Sequence, residues 1–134
     1  MKIGFTASAF DLLHAGHIVM LKTAKEQCDY LICGLHIDPS KERESKNKPI
    51  QTVVERYIQL KAVSYVDEVV PYESEKDLID ILTAMNVDVR ILGEEYRGTQ
   101  FSGHEFDIEN FFNSRKHRFS SSELRGRVKG IDNG

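Results

Sequence analysis

The sequence predicts an α/β protein built on a five-stranded parallel sheet with helices on both faces. Short apolar runs alternate with segments of helical period along the whole chain, the pattern of successive strand–helix–strand units. One run, Tyr30–Leu35 (YLICGL), is apolar throughout, as expected of a strand covered on both sides. At 134 residues the chain fits one domain, residues 1–130, followed by a frayed tail at 131–134.

The elements follow in order. Lys2–Thr6 (KIGFT) reads as the first strand, and Gly16–Gln27 as a helix with Ile18, Leu21 and Ala24 on one side. After the Tyr30–Leu35 strand, Asp38–Ile50 is polar and carries Pro39, Pro49 and several lysines, so it reads as a loop. Thr52 with Glu55 forms a capping box that opens a helix to about Val63. Val66–Val70 is a short strand, Glu75–Met85 an amphipathic helix, and Val87–Leu92 a strand ending at Gly93. Residues 94–107 are loop-like, and Ile108–Phe112 is a last strand. Ser120 with Glu123 forms a second capping box, and a short helix follows to about Lys129.

Composition narrows the function. The net charge of −3 argues against a dedicated nucleic-acid binder, which would show a basic face. No apolar stretch approaches a membrane span, and MKIGF lacks the apolar core of a signal peptide. Cys28 and Cys33 fit neither a CxxC pair nor a zinc spacing, and two reduced core thiols in a cytoplasmic protein are expected.

In open parallel sheets, ligands bind beyond the carboxyl ends of the strands, where the strand order reverses. The stretch FDLLHAGH (10–17) follows the first strand and belongs at that edge. His14, Gly16 and His17 fall at a helix start, where backbone N–H groups and a partial positive charge suit phosphate. Two imidazoles three residues apart can face one side and donate to a phosphate whose charge grows during substitution. A structural His14 beside a solvent-facing His17 is the competing reading. Zinc is another, but it needs a third ligand that no spacing supplies.

FDLLHAGH resembles the signature of the nucleotidyltransferase superfamily that includes glycerol-3-phosphate, phosphocholine and phosphoethanolamine cytidylyltransferases and pantetheine-phosphate adenylyltransferase. Three further blocks are similar, in the same order: ERYIQLKAVSYVDEVVPY (55–72), ILGEEYRG (91–98) and RKHRFSSSELR (115–125). The cytidylyltransferase branch, and glycerol-3-phosphate cytidylyltransferase within it, is the most similar in length and in YVDEV. The resemblance implies a Rossmann-like, doubly wound sheet in the order 3-2-1-4-5 and a homodimer, with contacts around Tyr65–Val70. It implies transfer of CMP from CTP, with Mg²⁺, to a phosphorylated alcohol, releasing pyrophosphate. A different acceptor, an amino-alcohol or sugar phosphate, or ATP in place of CTP, stands beside that reading. So does a non-catalytic nucleotide-binding module.

Residue roles carry over from the resemblance. His14 and His17 contact the phosphates and support the transition state, with Lys48 as a third catalytic residue. Lys48 and Lys46 lie in a loop whose register against relatives is open, and plain solvated lysines are the alternative. Nucleotide contacts are implied for Ala7, Ser8, Ala9, Phe10, Asp11, Gly16, Gly93, Glu94, Glu95, Tyr96, Arg115, Ser120, Ser121 and Ser122. Asp11 would orient the loop or lie near the metal, with a simple turn role equally open. Lys46, Arg56 and Ser64 are implied on the acceptor side, Arg56 through a guanidinium matched to phosphate. The sequence also departs from the pattern. Ser8 and Ala9 replace the family's Gly-Thr, Ser64 replaces an arginine, and GEEY replaces GDDW. These changes put glycerol 3-phosphate itself in doubt as the acceptor.

Overall fold

A computed structural model describes residues 1–43, 46–114 and 121–132. Five strands form one sheet, β1 (Ile3–Ser8), β2 (Tyr30–His36), β3 (Glu68–Tyr72), β4 (Val89–Gly93) and β5 (Glu109–Asn113). Their order is β3-β2-β1-β4-β5 and every pairing is parallel, as expected. The helices are α1 (Ala15–Glu26), α2 (Val53–Lys61), α3 (Glu75–Ala84) and α4 (Ser121–Asp132). Arg115 and Ser120, expected to bind phosphate, lie outside the described residues. Because α4 runs to Asp132, half of the expected tail belongs to the helix.

Strand alternation sorts the core into two layers. Leu31, Cys33, Val69, Val89 and Ile91 pack with Leu21 and Ala24 of α1 and Leu60 of α2. Phe5, Ile32 and Tyr72 pack with Leu78 and Leu82 of α3 on the opposite face. The chain leaves β1 towards β2 and β3, then returns through α3 to β4 on the other side of β1. That reversal puts the start of α1 at the switch point of the sheet.

Strand ends moved relative to expectation, most of all in β3, which lies two residues later than Val66–Val70. Two interactions hold Asp67 back in the preceding turn. Its carboxylate accepts from the Leu31 N–H at 2.8 Å and from Lys25 Nζ at 2.5 Å. Pro71, which would end an inner strand, is tolerated because β3 is an edge. Cys33 is fully buried, Cys28 is partly buried, and both are free thiols.

Candidate active site

The β1–α1 turn is built by backbone conformation and by anchoring to a distant segment. Phe10 and Leu12 adopt left-handed φ values of 50° and 52°, costly for residues with a Cβ. Hydrogen bonds to residues 50–51 hold them there. The Asp11 carboxylate accepts from the N–H groups of Ile50 and Gln51 at 2.8 and 3.0 Å. Gln51 Oε1 in turn accepts from the Leu12 N–H at 2.8 Å. Asp11 therefore orients the loop, one of the two roles expected of it.

The turn delivers His14 to the N-cap of α1. The Gly16 N–H donates to His14 Nδ1 at 3.0 Å, and the His14 N–H donates to His17 Nδ1 at 3.1 Å. This is a capping box in which both side chains are imidazoles. The rings lie 4.2 Å apart between centroids. An Nδ1 that accepts a backbone N–H carries no proton, so each neutral ring bears its proton on Nε2. Gly16, expected to let an anion approach the backbone, lines the cavity described below. Its amide is spent on His14, and the imidazoles present the donors instead.

The carboxyl ends of the strands enclose a cavity of about 510 Å³. Ala7, Ser8, Ala9, Phe10, Gly16 and both histidines line it from β1 and α1. Gly93, Glu95 and Tyr96, named above as nucleotide contacts, line it from β4 and the 3-10 turn that follows. A Cβ at Gly93 would meet the Glu95 carboxylate, which folds back against that backbone. Glu94 is not among the lining residues. It is paired with Arg97 at 2.7 Å, which holds its carboxyl below the usual range. Lys46 lines the cavity, and Lys48 lines a smaller adjoining hollow of about 190 Å³ beside His17 and Asp11. Ser121 and Ser122 open α4.

Two expected acceptor contacts sit elsewhere. Arg56 is 2 % exposed, and its guanidinium donates to four backbone carbonyls: Ala9, His36, Ile37 and Gln51, at 2.6–3.2 Å. It is the internal tie of the loops that frame the cavity and does not line it. Ser64 is exposed in the α2–β3 connection, at the amino ends of the strands, opposite the cavity. The doubt that Ser64 cast on glycerol 3-phosphate therefore has no basis within one protomer.

The cavity also holds residues that sequence reasoning did not select. Arg43 reaches from the β2–α2 loop to Glu75 in the first turn of α3 at 3.1 Å, and also bonds the Tyr96 hydroxyl. Both Glu42 carboxylate oxygens accept from the Glu75 N–H at 3.2 Å. The Ser102 hydroxyl, with Arg43, holds the Glu75 carboxyl below its ordinary value. Three separate connections are thus laced together over one side of the cavity. Deeper in, Tyr72 stacks on His36 with centroids 4.6 Å apart, and burial pushes its phenol well up. No sequence signal marks these residues, because their polar loops read as solvated and their partners are remote in sequence.

The reciprocal histidine cap lies at the switch point of a 3-2-1-4-5 sheet, the place where open parallel sheets bind their ligands. Residues 5–127 match the model of the cytidylyltransferase-like family, and the chain belongs to that family as a nucleotidyltransferase enzyme. It is similar to the bifunctional protein HldE of Helicobacter pylori (strain HPAG1), at 35% identity over 98% of this chain and 28% of that protein. It is also 40% identical to HldE of Acidiphilium cryptum (strain JF-5), over 71% of this chain and 20% of that protein. The chain thus spans a fifth to under a third of these relatives. Among solved structures it is similar in fold to the lipopolysaccharide core biosynthesis protein of Thermoplasma volcanium GSS1. That match has a TM-score of 0.62 at 21% identity, covering 98% of this chain and 89% of that one. No described helix is long and apolar enough to cross a membrane.

Proposed function

We propose that this enzyme transfers CMP from CTP to a phosphorylated alcohol or sugar, releasing pyrophosphate. The observation that carries this reading is the interlocked His14–His17 pair at the switch point, with both ring protons on Nε2. An oxygen of the acceptor phosphate attacks the α-phosphorus of the nucleotide. A new P–O bond forms as the bond to the β-phosphate breaks, and pyrophosphate departs. Negative charge concentrates on the phosphates in that transition state, where preorganised donors act most strongly. The backbone N–H entering each Nδ1 polarises its ring and strengthens the Nε2–H donor, as in any hydrogen-bond chain. Lys46 and Lys48 add positive charge from the neighbouring loop. Mg²⁺ enters with the nucleotide, as a cation bound mainly by substrate phosphates and one or two carboxylates. Glu95 is the lining carboxylate on the nucleotide side that suits it.

A polyhydroxylated acceptor is favoured over an amino-alcohol phosphate. A quaternary-ammonium acceptor is held best by a tryptophan-bearing aromatic cage, and the chain has no Trp. The rim instead offers the Glu42 and Glu75 carboxylates and Ser102, groups that bond hydroxyls. We further propose that the enzyme works as a homodimer. The test of function is pyrophosphate release with each of the four NTPs, Mg²⁺ and a panel of phosphate monoesters, with products identified by mass. Turnover with CTP and a polyol or sugar phosphate is expected. Turnover with ATP alone would replace the nucleotide, and turnover with none would overturn the reading.

A further inference from the structure

Arg90 is the second residue of β4, in the run VDVRIL, yet it is only 4 % exposed. It pairs in register with Phe5, whose side chain belongs to the α3-side core, so Arg90 projects to that same face. There it lines the cavity wall. Its guanidinium rests 5.2 Å from the centre of the Phe101 ring, and Nη1 donates to the Ser102 carbonyl. Among the described residues these are its only hydrogen-bond and ring-stacking partners, the Tyr72 and Tyr96 phenols lie within electrostatic reach, and no carboxylate forms an ion pair with it. Glu105, whose field reaches it, is an exposed loop residue held by His104 at 3.4 Å. Guanidinium carries five N–H donors, and a buried cation without a counter-ion is costly to the fold. A chain that keeps one against an open cavity has placed it for an anionic ligand.

We propose that Arg90 is the residue that anchors the acceptor's phosphate, and so sets acceptor affinity in the reaction assigned above. The inference rests on that reading for the word acceptor. The geometry favours the acceptor over the nucleotide. The imidazoles cap α1, which packs on one face of the sheet, whereas Arg90 enters from the opposite face, between Tyr72 and Ser102. A nucleotide whose triphosphate lies on the α1 side leaves the α3 side for the second substrate. Planar guanidinium forks match phosphate oxygens in pairs, and the Phe101 ring behind Arg90 holds the fork flat. The Glu42 and Glu75 carboxylates near this corner repel a second triphosphate but accept hydroxyls of an esterified polyol.

The test compares wild type with Arg90→Met and Arg90→Lys. For Arg90→Met the acceptor KM should rise about 10- to 100-fold, the worth of a charge-assisted hydrogen-bond set. Nucleotide KM should change less than about threefold, and Arg90→Lys should recover part of the loss. Without ligands, Arg90→Met loses the Ser102 hydrogen bond and the Phe101 contact but also a buried charge, so it should unfold cooperatively near the wild-type temperature. A purely structural arginine would instead raise the KM of both substrates together when removed. Unchanged acceptor KM, equal rises in both KM values, or a shift confined to the nucleotide overturns the assignment. A second measurement separates it from the functional reading: melting shifts with glycerol 3-phosphate, phosphoethanolamine and glucose 1-phosphate, without nucleotide. If wild type turns over no NTP but is stabilised by an ester only when Arg90 is present, the reaction is wrong and the anchor stands. If no ester stabilises wild type, the anchor falls.

Discussion

Single residues carry two jobs here, and substitution can separate them. His14 both caps α1 and presents a donor. Asparagine is a strong N-cap but has no ring N–H to aim outward. His14→Asn is therefore expected to keep the thermal stability of wild type while lowering kcat by about 10²–10³. Circular dichroism melts and steady-state kinetics on the same preparation check both halves. Arg56 is the opposite case. Arg56→Met strands four carbonyls in the interior and should cost more than about 2 kcal/mol of stability in urea unfolding. The contrast shows what the sequence could reveal at this scale. The HAGH signature is local, so its placement was legible. Arg56 read as an acceptor-side phosphate ligand, because its four true partners lie 5 to 47 residues away and leave no local signal. Arg90 was hidden for a related reason: within an apolar run, only the strand register shows which face it joins.

At the scale of elements, local chemistry set most boundaries. The Thr52–Glu55 capping box opens α2 as read from the sequence. A similar box at α3 went unread because its closing acid is Asp77, where the usual residue is longer. The Glu73 and Ser74 N–H groups donate to that carboxylate and hold its pKa below the ordinary 3.8. A depressed acid stabilises the fold fully above its unfolded value and loses that contribution as pH falls through the folded one. The stability gap between wild type and Asp77→Asn should thus be full at pH 6 and shrink below about pH 3.8. Urea melts across that range measure it, and a gap that does not vary with pH would remove Asp77 from the cap. The shift of β3 arose from tertiary hydrogen bonds to Asp67, which no propensity encodes.

For the whole molecule, alternation of strand and helix was enough to predict class and parallel pairing, because each crossover must cover a sheet face. Strand order came from resemblance, since periodicity does not say on which side of β1 the chain returns. The expected dimer contacts around Tyr65–Val70 need revision, because Val66 and Val69 are buried in the protomer's own core. The outer side of α2 is the better candidate. Val54 and Ile58, one turn apart, are each 63 % exposed, and Ile50 beside them is 65 % exposed. Sedimentation velocity at micromolar concentration should give twice the chain mass of 15.3 kDa. Val54→Glu combined with Ile58→Glu should return the monomer, and a dimer that survives both changes uses another face.

The reciprocal cap of His14 and His17 bears on how other sequences are interpreted. Each ring closes a backbone hydrogen bond of the helix start, so selection for a folded protein alone favours a capping side chain at both positions. A descendant that had lost its chemistry would still be drawn to the pair, or to another capping residue, by the need to begin α1. An intact H-x-G-H in a relative is therefore testimony about architecture first and about turnover only second. The informative relative is one in which aspartate stands at the first histidine, for its carboxylate keeps the helix cap and has no N–H to give.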